Sequence, residues 1–311
     1  MTGLVLSCSW NIFIVKPDEA EGTVECRIKG KVLKSAETFR NPIAPGDRVI
    51  FRADGCRRGL VLALEERRNI FTRGCQSEGK RNIHDKSRAK SQILAANVDI
   101  ALCVCSPASP PFRPRFIDRL LAQTEASGIE SAIVVNKSDL AIDNEVEARL
   151  MDFSRIGYRV VRISTKTGLG MDELRRLTSG KISLLTGQSG VGKSSIVNAL
   201  AGANIKTESI NEKYNRGVHT TTLASLVALP KGWIIDTPGV RLFTPDRVSA
   251  DQLVLFMREF APLAGQCFFG LSCSHTTEAG CKIRESVRNG DICPDRYESF
   301  LRIREELRPV F

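Results

Sequence analysis

The chain has 311 residues, 42% hydrophobic and 26% charged, with a net charge of +10 and a pI near 9.2. That length suggests two or three domains with real cores, and the positive balance favours a polyanionic partner such as nucleic acid or an anionic surface. No membrane span is expected: the most apolar stretch, Ile93 to Cys105, is broken by Asn97 and Asp99 and falls short of the ~20 residues a span needs.

Met1 to Cys8 is apolar but lacks a basic flank and is too short for a secretory signal. A cytoplasmic protein is therefore expected, its ten cysteines reduced or metal-bound rather than paired in disulfides.

From Val5 to about Ile70 the pattern is short β-type runs, among them Val24 to Ile28, Asp47 to Phe51 and Gly59 to Ala63. Turn signals at Asn41-Pro42, Pro45-Gly46-Asp47 and Asp54-Gly55 separate them. Residues 1–70 are thus expected to form a small, OB-fold-like β-barrel. Residues 71–92 turn polar and basic, with Arg73, Lys80, Arg81, His84, Lys86, Arg88 and Lys90, and predict a linker able to touch phosphates.

Across residues 93–243 strands and helices alternate. Strands are expected at Val98 to Cys105, Ser131 to Val135, Tyr158 to Ile163, Ile182 to Leu185, Thr222 to Leu229 and Trp233 to Ile235. Helices are expected at Arg115 to Ser127, Val146 to Arg155, Met171 to Leu177 and Ser194 to Leu200. Such alternation predicts a mostly parallel sheet with helices on both faces. Residues 244–311 predict a helical domain, with helices at Ala250 to Glu259 and Pro294 to Leu307 around a Cys/His cluster.

Gly187-Gln188-Ser189-Gly190-Val191-Gly192-Lys193-Ser194, followed by Ser195, fits the phosphate-loop pattern. It lies between a β-run and a helical run, the context in which its glycines let backbone N–H groups turn onto phosphate oxygens. Lys193 can reach the β- and γ-phosphates and the Ser194 hydroxyl can ligate Mg²⁺. Asp236-Thr-Pro-Gly239 follows an apolar strand. Asp236 there suits water-mediated Mg²⁺ binding, and the Gly239 N–H suits γ-phosphate sensing. Between them, one of Thr220, Thr221 and Thr222 can complete the metal shell and order the loop.

Asn136-Lys137-Ser138-Asp139 at a strand end is the guanine-reading pattern of GTPases. The Asp139 carboxylate can accept from both guanine N1–H and the exocyclic amino group, a donor pair adenine lacks. The Lys137 stem can lie over the base. Ser164-Thr165-Lys166, at the next strand end, suits the partner loop. The order is unusual, since the base reader comes about fifty residues before the phosphate loop. A sheet cut and rejoined at surface loops keeps its packing, so the site can still form. The γ-phosphate sensor then leads directly into the cysteine-bearing tail, which predicts that nucleotide state sets the tail's position.

Cys267, Cys273, His275 and Cys281 form a C-x5-C-x-H-x5-C cluster. Three thiolates and an imidazole suit one closed, structural Zn²⁺ site. Cys293 is a substitute ligand candidate. The remaining cysteines, Cys8, Cys26, Cys56, Cys75, Cys103 and Cys105, lack such spacing and read as small apolar residues.

Together these motifs resemble the RsgA (YjeQ) family of circularly permuted ribosome-assembly GTPases. The likeness extends over nearly the whole chain and includes Gly46-Asp-Arg-Val49, Ala95-Ala-Asn-Val-Asp99, Ile117-Asp-Arg119 and His219-Thr-Thr-Thr222. It implies a GTP-hydrolysing factor that acts late in small ribosomal subunit assembly, with rRNA contacts from barrel and tail and turnover stimulated by the subunit. A monomer is expected. Two features depart from the family's usual pattern: the five-residue gap after Cys267, usually four, and Val218 in place of a polar residue.

Val240 stands where many GTPases carry a water-orienting Gln, which predicts slow intrinsic turnover and makes His219 the candidate catalytic residue. The alternative is an RNA-binding scaffold that senses GTP without significant turnover.

Overall fold

The computed structural model describes residues 1–9, 11–28, 39–55, 57–74, 91–202, 224–237 and 245–308. Five strands open the chain: β1 (Thr2–Ser9), β2 (Ile12–Pro17), β3 (Val24–Ile28), β4 (Arg48–Ala53) and β5 (Arg58–Leu64). They pair in the cyclic order β1-β2-β3-β5-β4-β1, with β3 and β5 parallel, and so close the expected barrel. Alternation drives the closure. Phe13 and Val15 on β2, Val49 and Phe51 on β4, and Val61 on β5 all turn inward around Val5 and Ile43.

Strands β6 (Ile70–Arg73) and β7 (Gln92–Ala96) form a separate antiparallel ribbon. Both ends of the stretch expected as a linker are thus β-structure, because Phe71, Thr72, Ile93 and Leu94 are buried. Most of its basic residues lie in 75–90, outside the described residues.

The barrel is fastened to this ribbon by two of the motifs. Gly46 has φ +91, and a Cβ there would sit 2.1 Å from the Ala96 carbonyl oxygen, so only glycine fits. Asn97 Nδ2 donates to Gly46 O at 3.0 Å and its Oδ1 accepts from Arg68 N at 2.9 Å. The fully buried Asp47 accepts from Arg67 through both oxygens at 2.7 Å, and from Ala44 N at 2.8 Å. A buried carboxylate held this way keeps its charge compensated.

The central sheet comprises β8 (Ile100–Cys105), β9 (Glu130–Val135), β10 (Arg159–Arg162), β11 (Lys181–Gly187), β12 (Ser225–Leu229) and β13 (Gly232–Asp236). Its order is β10-β9-β8-β11-β13-β12, parallel except for β12. Helices α1 (Pro114–Ala126) and α2 (Asn144–Arg155) cover one face through Ile117, Leu121, Leu150 and Phe153. Helices α3 (Met171–Thr178) and α4 (Lys193–Ala201) cover the other through Leu174, Leu177, Ile196 and Val197. All of β8 is buried, as parallel strands covered on both sides are. At the edge, β12 meets β1 of the barrel at Ser7 and Ser225, so barrel and sheet are continuous. Cys26, Cys103 and Cys105 are buried, and burial raises their thiols, Cys26 to about 11 and Cys103 to about 12, as expected of apolar fillers.

The tail holds α5 (Lys282–Asn289) and α6 (Pro294–Leu307), with 3₁₀ turns at Leu253–Phe256, Ala261–Leu263 and Gly270–Ser272. Helix α6 is as expected. The helix expected over Ala250 to Glu259 is not formed: the 3₁₀ turn ends at Met257 in an extended conformation. The reason is tertiary. Arg258 reaches Glu125 and the Gly157 carbonyl while its neighbour Glu259 binds Arg296, and one continuous helix would not aim both so. The tail's core includes Ala122 of α1, so tail and central domain share a packed seam. No helix among the described residues is long and apolar enough to cross a membrane.

Candidate nucleotide site and metal centre

The sequence motifs converge where a parallel sheet places ligands, at the C-terminal ends of its strands. The phosphate loop bridges β11 and α4, Asp236 ends β13, Asn136 follows β9 and Ser164 lies just beyond β10. These strands are near neighbours in the sheet, so side chains 100 residues apart in sequence face one cleft.

Asn136 ties the loops together. Its Nδ2 donates to Val191 O at 2.9 Å and its Oδ1 accepts from Thr165 N at 3.3 Å. The contact depends on Gly192, whose φ is +93 and whose missing Cβ would lie 2.3 Å from Asn136 Nδ2. Lys137, itself at φ +63, donates from Nζ to Gly190 O at 2.8 Å and to Ser109 O at 2.5 Å. Its stem is thereby stretched between base-reading and phosphate loops.

Asp139 is exposed and accepts from the Ser164 hydroxyl at 2.6 Å. That hydrogen bond holds its carboxyl below the usual carboxylate range. Ser164 is buried beneath it, and Lys166 is exposed beside it.

Lys193 is only 8% exposed, and its Nζ donates to Gly187 O at 3.0 Å and Gln188 O at 2.9 Å. Burial lowers its pKa, opposed by Asp236; burial raises that of Asp236, opposed by Lys193. A buried ammonium whose partners among the described residues are backbone carbonyls, with a half-buried acid beside it, fits a site completed by phosphate and a divalent cation. Ser189, Gly190, Ser194 and Ser195 are exposed at the mouth, Gln188 and Gly192 partly so, and Val191 is buried behind them. Thr237 Oγ1 anchors the segment after β13 to Leu185 O at 2.8 Å. His219, Thr220, Thr221, Thr222, Gly239 and Val240 lie outside the described residues.

Ser109 and Thr237 support the site although neither was singled out as a site residue from the motifs. A signal for the first existed: Ser106-Pro-Ala-Ser-Pro-Pro111 is a further loop at a strand end, after β8.

Cys267, Cys273, His275 and Cys281 are all buried, with one ligand atom from each lying within 4.8 Å of the others. His275 Nδ1 is 3.5 Å from both Cys267 Sγ and Cys281 Sγ, and those sulfurs are 3.9 Å apart. Tetrahedral thiolates around Zn²⁺ stand about 3.8 Å from one another, so the donor set fits that ion. Further contacts orient the ligands: Lys282 N donates to Cys267 Sγ at 3.4 Å, and Tyr297 Oη to His275 O at 2.7 Å. Cys267 belongs to the cluster despite its longer gap. Cys293 does not; it precedes α6 and accepts from Arg149 Nη1 at 3.6 Å.

Residues 66–245 match the family model described as RsgA GTPase. The chain belongs to the RsgA GTPase family. It is 35% identical to the small ribosomal subunit biogenesis GTPase RsgA of Chlorobaculum parvum, over 99% of this chain and 98% of that one. With the protein of the same name from Gemmatimonas aurantiaca it shares 43% identity over 71% of this chain and 72% of that one. Among solved structures, YjeQ from Thermotoga maritima matches with TM-score 0.74 and 30% identity, covering 98% of each chain. YloQ, described as a circularly permuted GTPase, shares the fold with TM-score 0.72 at 22% identity, over 100% of this chain and 96% of that one. The family's permuted order agrees with the observed sheet, in which β8 to β10, with the base-reading loops, precede phosphate-loop strand β11.

Proposed function

We propose that this chain hydrolyses GTP as a cytoplasmic, monomeric maturation factor of the small ribosomal subunit, which it contacts through rRNA. The observation that carries the catalytic part is the Asn136 clamp, which fixes the base-reading loop against the phosphate loop at one end of the sheet. The subunit is the partner named for its relatives, and the net charge of +10 suits an RNA surface.

In this reading Asp139, kept ionised by Ser164, accepts both guanine donors, and an adenine in its place would leave the acid unpaired. Lys137 and Lys166 flank the base. The Gly187 to Ser195 backbone and the Lys193 ammonium bind the phosphates, Lys193 exchanging its carbonyl partners for phosphate oxygens. Mg²⁺, held by Ser194 and through water by Asp236, would offset the charge building on the transferring group. The Gly239 N–H is assigned to the γ-phosphate. His219 is assigned the placement of the attacking water, a role carried by the sequence alone. One structural Zn²⁺ in the Cys267-Cys273-His275-Cys281 cluster would hold the tail together.

Phosphate release from GTP by the purified chain, with and without small subunits, tests the reading. Slow turnover that rises with subunits is expected. Tight GTP binding with no turnover in either condition would instead favour the scaffold that only senses GTP. His219→Ala should abolish the stimulated rate and leave GTP affinity intact.

A further inference from the structure

The metal-cluster loop carries three apolar side chains that remain half or more exposed. Phe268, Phe269 and Leu271 are 82%, 51% and 80% exposed. Scattered exposed apolar residues are ordinary, but three within four positions of one loop mark a contact surface. The loop is held from behind. Cys267 and Cys273 bound it, Phe268 N donates to Gly280 O at 3.2 Å, and Gly280, at φ +68, leaves the room that the Phe268 Cβ occupies. A loop fixed in this way presents its rings with little ordering cost left to meet on binding.

The two rings stand edge to face, 5.1 Å between centroids and at 88°. Rings at right angles do not both lie on one flat apolar surface, but each can take its own planar partner. Beside them α5 starts immediately after Cys281 and carries Lys282, Arg284 and Arg288 against a single carboxylate, Glu285. Lys282 N is hydrogen-bonded to Cys267 Sγ, so the cationic helix and the aromatic loop share one anchor. Planar stacking surfaces next to cations are how single-stranded RNA is held, with bases on the rings and phosphates on the charges.

We propose that this knuckle is a stacking platform for unpaired RNA bases, with Phe268 as its principal ring and the cations of α5 on the adjoining phosphates. The proposal rests on the reading that the chain acts on the small ribosomal subunit, and it names the part of that partner which the tail engages.

The test uses the full chain and two probes: purified small subunits, and a labelled unstructured RNA of about 12 nucleotides with its duplex as control. Phe268→Ala should weaken binding of the single strand, and of subunits, by roughly tenfold or more, and leave duplex binding unchanged. Phe268→Trp should bind as well as the parent or better, whereas Phe268→Leu should fall with the alanine variant, because leucine is apolar but offers no face for stacking. Turnover of GTP without subunits should be the same in all variants, which reports an intact fold. Unchanged single-strand binding in Phe268→Ala overturns the proposal. So does rescue by leucine with subunits, which would reveal a protein pocket on the partner. If the parent binds the single strand through Phe268 yet fails to bind subunits, the ribosomal reading falls and the platform stands.

Discussion

Asp118 on α1 and Arg296 on α6, 178 residues apart in sequence, meet at 2.6 Å in an ion pair that is almost wholly shielded from solvent. The other Asp118 oxygen accepts from Arg149 on α2 at 2.9 Å, and Arg296 also binds Glu259. Phe153 lies under both guanidinium groups. Arg119 to Glu306 and Arg258 to Glu125 extend the same seam.

This junction predicts the effect of Asp118→Ala. Two buried guanidinium groups would lose their shared acceptor, and breaking a buried pair from one side costs about 3–5 kcal/mol. Urea unfolding should show a clearly lower midpoint. An unchanged midpoint would mean that the tail is held by its apolar core alone.

The same seam bears on the expectation that nucleotide state sets the tail's position. With Arg296 fixed to Asp118, the tail should travel with α1 as one body. Distances between spectroscopic labels on α1 and α6 should therefore be equal with GDP and with a non-hydrolysable GTP analogue. A change of several ångströms between the two would show that the tail swings on its own.

Gly192→Ala should damage nucleotide binding more than folding. The added methyl would meet Asn136 Nδ2 at 2.3 Å, on a backbone with φ +93. The Asn136 to Val191 bond must then break, which uncouples base reader from phosphate loop. GDP affinity should fall roughly tenfold or more, with a smaller change in thermal stability. Equal affinity would dismiss the clamp as incidental.

Guanine binding should also respond to pH through Asp139. Its carboxyl is held low mainly by the Ser164 hydroxyl, so the ionised, guanine-accepting form persists as pH falls through the ordinary carboxylate range. Binding is then complete above that range and is lost only when pH falls through the lowered value. In Ser164→Ala the loss should begin at higher pH. Titrating GDP affinity between pH 3 and 7 (an interval of about four units around the usual carboxylate value) shows whether the acid limb moves upward.

Removal of the metal should act on the tail first. Cys281→Ser, or chelation, takes a ligand from the cluster on which α5 and the Cys267 loop are built. Metal content should drop from about one ion per chain, and proteolysis should open residues beyond 245 before the central sheet. Retained metal in the serine variant would reassign that ligand.

How much of this was legible varies with the distance over which each feature is written. The phosphate loop and the base reader each occupy a few consecutive residues, and a strand before them supplied the context. The metal cluster spans fifteen residues and was legible in the same way. The Asp118 junction was not, because ion pairing across 178 residues leaves no periodic trace. Leu253, Val254, Met257 and Phe260 have helical spacing and are buried, yet the pull on Arg258 and Glu259 replaced the helix with 3₁₀ turns. Strands β6 and β7 were concealed by the polar stretch between them.

The strand order also dictates a schedule of synthesis. The barrel closes from residues 2–64 alone, so it can fold while the rest of the chain is still being made. Strands β8, β9 and β10 follow, and β8 must wait with one edge open until β11, beginning at Lys181, pairs beside it. The strands that carry the Asn136 and Ser164 loops are therefore made before any residue of the Gly187 to Ser195 loop that braces them. A nascent chain of this design has no loop to close on phosphates until β8, β9, β10 and β11 have all been made.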